Sequence, residues 1–223
     1  MTGGMRASVG PLGDQAVLLT LDGDRERCNR RIARLTAALL AESGTERSRA
    51  IIDVVPAMVS LAVFFDPRLV APDVVERRLL ACAERVEDAA AEDAPLRVHV
   101  VPVRYDGPDL AEVAERLGLL PDELVQRHVG REYRVRFLGF TPGFAYLGPL
   151  DPSLVLPRRA DPRRRVPAGS VGVAGDQTAI YPLETPGGWH LIGRTELRPF
   201  DPSRFPPSLF VAGDRVRFAR ATS

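Results

Sequence analysis

The chain has 223 residues, 45% of them hydrophobic, with 30 basic and 29 acidic side chains and a net charge of +1. That size and apolar content suit one large or two small folded domains, and the balanced charge leaves no global field to attract nucleic acid or a membrane. No apolar run approaches the roughly 18 residues that span a bilayer, and the opening MTGGMRASVGPLGDQ lacks the regions of a secretory signal, so a cytoplasmic location is expected.

In chain order, Ala16 to Leu21 reads as a strand. Cys28, Ile32, Leu35 and Leu39 then recur at helical spacing, so Arg27, Arg30, Arg31 and Arg34 fall on a solvated helix face. Ile51 to Val55 and Val59 to Phe65 are strand-like runs flanking Pro56. Pro72 opens a second helix with Val75, Leu79, Cys82 and Val86 on one face, and Arg97 to Val103 supplies a last strand. The order strand, helix, strand, strand, helix, strand predicts a ferredoxin-like α/β sandwich over residues 1–94. The acidic, alanine-rich stretch Glu87 to Ala94 before Pro95 is the linker candidate.

After Tyr105 the character changes. Asp109 with Glu112 predicts a capping box for a short helix carrying Leu110, Val113 and Leu117, and Pro121 begins another that Gly130 ends. Tyr133, Val135 and Phe137 alternate with Arg134 and Arg136, and Val216 and Phe218 with Arg215 and Arg217, so both segments read as half-exposed strands. Residues 139–194 hold 17 glycines and prolines among 56 positions, yet Ser170 to Ala174, Gln177 to Tyr181 and Trp189 to Ile192 are strand-like. Phe140, Phe144, Tyr146, Tyr181 and Trp189 are available to anchor a core there, which favours a compact β-rich domain with ordered loops over disorder.

Several chemistries are excluded or disfavoured. Every basic residue is arginine, which rules out a Walker-A lysine and a lysine Schiff base within the sequence. Cys28 and Cys82 fall on the two predicted N-terminal helices and read as buried small hydrophobes rather than a thiol nucleophile or a disulfide. His99, His128 and His190 have no metal-ligand spacing, so no bound metal is expected. Five guanidinium groups, those of Arg158, Arg159, Arg163, Arg164 and Arg165, crowd into eight residues and read either as a solvated basic loop or as an anion site.

The strings GFTPGFAYLG at 139–148, PRRADPRRRVPAGSVGVAG at 157–175 and YPLETPGGWHLIGRT at 181–195 resemble the B-type component of ATP-dependent 5-oxoprolinase, a bacterial family that includes KipI-type kinase inhibitors and is similar to subunit 1 of allophanate hydrolase. Weaker similarity in GDQAVL at 13–18 and VVPAMVSLAVFFDP at 54–67 extends the match over nearly the whole chain. The resemblance implies a cyclophilin-like β-barrel over residues 95–223. It also implies a non-ATPase subunit working with a C-type and an A-type partner, in a complex that opens 5-oxoproline to glutamate. No cofactor is expected in this chain, and ATP used by the complex would sit on a partner subunit. The alternatives are a KipI-like inhibitor of a sensor histidine kinase and an allophanate hydrolase subunit. The turn DGPDL after Tyr105 is shorter than the family's glycine-rich version.

A small lactam bearing a carboxylate requires a cation, hydrogen-bond partners and apolar walls. By motif position, Arg158 and Arg194 are expected to face the ligand, with Arg159 next, while Arg163 and Arg164 are assigned to solvent or the partner interface. Ser170, between Gly169 and Gly172, and Gln177 are expected to hold an oxyanion and the lactam amide, although a turn-stabilising role for the Ser170 hydroxyl fits equally. GSVG lacks the nucleophile elbow, so Ser170 is not read as a triad serine. Phe144, Tyr146, Tyr181 and Trp189 are either pocket walls or core. His128 matches a family histidine position and is either an acid–base group or structural, and alternation beside Trp189 turns His190 outward.

Overall fold

The computed structural model of the chain describes residues 5–41, 49–86 and 97–221. Two compact units, Met1–Glu92 and Asp93–Ser223, divide it. The proposed linker at 87–94 lies outside the described residues.

The first unit contains β1 (Arg6–Pro11), β2 (Ala16–Asp22), α1 (Arg25–Ala41), β3 (Ile51–Pro56), β4 (Ser60–Phe65) and α2 (Pro72–Arg85). Its antiparallel sheet has the order β1-β2-β4-β3. Apolar spacing explains the packing: Cys28, Ile32, Leu35 and Leu39 of α1 and Val75, Leu79 and Cys82 of α2 share one core with Val17, Leu19, Leu61 and Val63. The expected ferredoxin-like order is not found. A strand absent from the sequence reading, β1, pairs with the outer side of β2, and the segment expected as the closing strand of this sheet pairs elsewhere. The short Leu12–Gln15 connection favours that local hairpin, because joining adjacent segments loses less chain entropy than recruiting a strand from beyond α2.

The second unit comprises β5 (Val98–Val103), α3 (Leu110–Arg116), α4 (Pro121–Val129), β6 (Glu132–Leu138), β7 (Ala145–Gly148), β8 (Arg163–Val166), β9 (Ser170–Ala174), β10 (Gln177–Ile180), β11 (Thr185–Gly187), β12 (His190–Arg194) and β13 (Arg215–Arg220). Seven strands form one sheet in the order β12-β9-β10-β7-β6-β13-β5, and β8 and β11 make a separate ribbon. The sheet curls into a nearly closed barrel. Its outer strands meet where Arg104 and Arg194 exchange two backbone hydrogen bonds of 2.8 Å, just beyond the end of β5 and at the end of β12. A Cβ on Gly193 would lie 2.5 Å from the Arg104 carbonyl oxygen, and one on Gly107 would strike the Leu191 carbonyl, so glycine at both places permits the approach.

Alternation along these strands separates two apolar clusters. Leu147, Val171, Val173, Ile180 and Ile192 join the main core with Val103, Tyr133 and Val216, and the helices add Val113 and Leu124. Their strand neighbours Tyr146, Ala174, Ala179, Tyr181 and Leu191 join a second cluster with Phe144, Val166 and Trp189. Arg136 corrects the half-exposed reading of β6. A register shift between Val135 and Phe137 breaks the alternation there, and the Arg136 side chain is fully buried against Asp176 at 2.8 Å. No helix among the described residues is long and apolar enough to cross a membrane.

If close approach at Gly193 closes the barrel, Gly193→Ala should destabilise this unit by about 1–3 kcal/mol through overpacking. Urea unfolding followed by the fluorescence of Trp189, the only tryptophan, measures it; a variant as stable as the wild type would show that the glycine is dispensable.

Candidate functional site

The second cluster opens into a cavity of about 260 Å³ bordered by Phe140, Phe144, Tyr146, Tyr181 and Trp189, with Arg158, Pro162 and the Pro186–Gly188 backbone completing it. The aromatic rings brace one another edge to face around Phe144, whose centroid lies 5.0 Å from Tyr146, 5.3 Å from Tyr181 and 5.6 Å from Trp189. Phe137 stacks behind Tyr146 at 4.3 Å. A Cβ on Gly187 would strike the Tyr181 hydroxyl, so the absence of a side chain there leaves the phenol its place. Burial raises the pKa of both Tyr146 and Tyr181, and the positive charge of Arg158 works against that rise in each. Both phenols therefore remain protonated donors at neutral pH, within electrostatic reach of one guanidinium.

Arg158 has no carboxylate partner among the described residues. Its neighbours are tied down. The Arg159 amide donates to the Gly188 carbonyl at 2.8 Å, and His190 Nε2 lies 3.0 Å from the Pro157 carbonyl oxygen, a contact that requires the ring nitrogen to donate. The Arg159 and Arg163 side chains converge on Asp109: Arg163 donates to both carboxylate oxygens at 2.6 and 2.9 Å, and Arg159 donates at 3.1 Å. The Leu191 amide adds a fourth hydrogen bond to Asp109 at 2.7 Å. Burial pushes the Asp109 carboxyl up, but the Arg163 hydrogen bonds, the Leu191 amide and the charges of Arg163 and Arg159 outweigh it and hold the group below its ordinary value.

These contacts revise the sequence reading residue by residue. Phe144, Tyr146, Arg158, Tyr181 and Trp189 come together at the cavity. Arg159 is committed to Asp109, and so is Arg163, which was assigned to solvent or a partner. Asp109 itself makes no side-chain cap on α3; its carboxylate faces the two arginines instead. Arg194 pairs with Asp106 at 2.8 Å and belongs to the barrel closure. Ser170 starts β9 opposite Arg194, whereas Gln177 pairs with Ala174 at the other end of the hairpin, roughly 13 Å along the strand at 3.3 Å per residue. Neither borders the cavity.

His128 is corrected as an acid–base candidate, because it is fully buried. Its Nδ1 lies 2.7 Å from the Tyr105 hydroxyl and its Nε2 lies 3.0 Å from Thr178 Oγ1, which itself donates to the Gly172 carbonyl. That last bond leaves Thr178 Oγ1 as acceptor from Nε2–H, so Tyr105 donates to Nδ1 and the ring is a neutral link in a buried chain. His190, expected outward, is buried.

Phe140 was missed as a site residue. It holds φ of 68°, an outlier for a bulky side chain, and is 60% exposed at the cavity rim. The signal available in sequence was its position between Gly139 and Thr141, outside any strand period. A larger groove of about 510 Å³ in the first unit has aliphatic walls, Ile51, Leu69, Val70, Val74 and Val75, with Arg49 and Arg78. Apart from those two arginines its lining holds no polar side chain. No cluster of metal-ligating side chains occurs among the described residues.

Comparison with known proteins places this architecture. Residues 7–210 match the carboxyltransferase domain, subdomain C and D. The B-type component of 5-oxoprolinase from Bacillus subtilis (strain 168) is 38% identical, covering 97% of this chain and 93% of that protein. Its counterpart from Escherichia coli O157:H7 is 43% identical, covering 93% of each. Among solved structures, TTHA0988 superposes with a TM-score of 0.79 at 42% identity over 94% of this chain, which spans 40% of that longer chain. Kluyveromyces lactis urea carboxylase shares the fold at 19% identity and a TM-score of 0.74, over 97% of this chain and 22% of its own.

Burial lowers the His128 pKa from an ordinary 6.5 to about 3. The unfolded chain therefore takes up this proton first as pH falls, so the stabilisation is complete above about pH 6.5 and is lost progressively toward pH 3. The slope is at most about 1.4 kcal/mol per pH unit. Urea unfolding of wild type and His128→Asn between pH 7.5 and 4.5 should show the gap between them narrowing with acid. Parallel pH profiles would remove His128 from the acid response.

Proposed function

We propose that this chain, which belongs to the carboxyltransferase subdomain C and D family and to the family of B-type 5-oxoprolinase components, is the non-ATPase subunit of an ATP-dependent complex that opens 5-oxoproline to glutamate. The observation that carries the reading is the Arg158 guanidinium at an aromatic-walled cavity, with no carboxylate among the described residues to neutralise it. A cation in apolar surroundings favours an anionic ligand, and a cavity of about 260 Å³ suits one the size of an amino acid. The rings would cover the two faces of a flat five-membered lactam, and the Tyr146 and Tyr181 hydroxyls would donate to its carboxylate or ring carbonyl.

In this reading the barrel is cyclophilin-like and the chain holds or hands on the lactam, while C-type and A-type partners supply the rest of the reaction. ATP bound on a partner would transfer its γ-phosphoryl group to the lactam carbonyl oxygen and release ADP, turning a poor electrophile into one that water attacks, with inorganic phosphate leaving as the ring opens. The lack of lysine agrees with phosphate chemistry lying outside this chain. Here Arg158 neutralises the substrate carboxylate, and the closely packed rings exclude water from its apolar flank, which strengthens the charge-assisted contact.

Isothermal calorimetry should show 5-oxoproline binding that Arg158→Ala weakens by about 1–3 kcal/mol, roughly 5- to 150-fold, with the circular dichroism spectrum unchanged. Equal affinity in a folded Arg158→Ala variant would remove this residue from the site. The isolated chain supplied with ATP and 5-oxoproline should release no glutamate; robust release without partners would overturn the division of labour.

A further inference from the structure

The loop that carries Arg158 is clamped from outside the cavity, and the clamp centres on a carboxylate more than 45 residues earlier in the chain. Asp109 is 2% exposed and accepts hydrogen bonds from Arg159, Arg163 and the Leu191 amide. Arg159 and Arg163 bracket the segment whose Pro162 borders the cavity, and Leu191 lies on the strand that follows Trp189. A single buried carboxylate thus ties the arginine wall to the tryptophan wall. We propose that Asp109 is a positioning residue: it fixes the 157–163 loop against β12 and thereby holds the Arg158 guanidinium over the cavity.

Three features support a positioning role over a purely stabilising one. Two guanidinium groups share Asp109 with the geometry of a fork, and a pair of bonds at 2.6 and 2.9 Å to Arg163 constrains direction as well as distance. Elsewhere the loop is held through its backbone, by the Arg159 amide bonded to the Gly188 carbonyl, the contact between His190 and Pro157, and the pairing of Arg163 with Gly187 at the start of β8. Among the described residues, the Arg158 side chain has no hydrogen-bond or ion-pair partner that would hold it independently of the loop backbone. Neutralising Asp109 leaves two partly buried cations whose repulsion the half-exposed Glu112, 3.9 Å from Arg159, offsets only weakly, so the loop is driven away from β12.

The inference that the clamp serves 5-oxoproline binding rests on the function proposed above, so its test uses two readouts. In a double-mutant cycle on the full-length chain, Asp109→Asn should weaken 5-oxoproline binding at least fivefold when Arg158 is present and less than twofold in an Arg158→Ala background. Arg163→Gln, which removes one arm of the clamp at a partly exposed position, should reproduce part of that loss if Asp109→Asn does not fold. Equal losses in both backgrounds, or no loss from either variant, would overturn the proposal. Amide hydrogen exchange is independent of ligand. Exchange over residues 157–163 should rise at least tenfold in Asp109→Asn or Arg163→Gln while that of β6 stays unchanged; an unaltered loop sinks the clamp. If the wild type fails to bind 5-oxoproline yet loop exchange rises, the functional reading fails and the clamp stands.

Discussion

The second unit depends on closing a seven-stranded sheet onto itself. The outer strands come within backbone hydrogen-bonding distance at Arg104 and Arg194, and the approach exists because Gly107 and Gly193 present no Cβ to the opposing carbonyls. The Arg104 and Arg194 side chains both reach Asp106 beside the same closure, but those pairs are about half exposed, so screening by water leaves them little weight. The Asp109 contact to the Leu191 amide is buried, and together with the backbone pair it holds the seam. Closing the sheet also satisfies backbone groups at the strand ends that an open edge would leave unpaired.

The seam also governs the cavity. Trp189 and Leu191 belong to the second cluster, so β12 and the tryptophan just before it supply one wall on the cavity side. The 157–163 loop crosses this wall, and its arginines divide between two roles. Arg159 and Arg163 are committed to Asp109, whereas Arg158 borders the cavity with no carboxylate partner among the described residues. Pairing in three dimensions, rather than position in a basic run, decides which guanidinium groups are committed to a carboxylate.

Two buried ionisable groups in this unit take opposite courses for the same physical reason. Asp109 keeps its charge because two guanidinium groups and an amide replace the water it loses. His128 stays neutral because its neighbours are a phenol and a threonine hydroxyl that complete hydrogen bonds without supplying charge. A histidine beside carboxylates would have been a reasonable proton carrier; here, enclosed by Phe218, Tyr133 and Tyr105, it bridges a helix to β10.

Much of the local structure was legible in the sequence. Helical spacing located α1 and α2, the Asp109–Glu112 pattern with Leu110, Val113 and Leu117 located α3, Pro121 and Gly130 bounded α4, and alternation located most strands, because each depends on neighbours a few residues apart. The aromatic walls and Arg158 were likewise readable from the motifs that carry the family resemblance. Tertiary structure decided the rest. It paired 98–103 with β13 and not with the first sheet, gave β1 to that first sheet, turned Asp109 from a helix cap into the anchor of two arginines, and separated Ser170, Gln177 and Arg194 from the cavity. Periodicity reports which face of an element is buried, but the partner buried against that face is set by strand pairing and charge pairing across tens of residues. Those contacts carry no local signature.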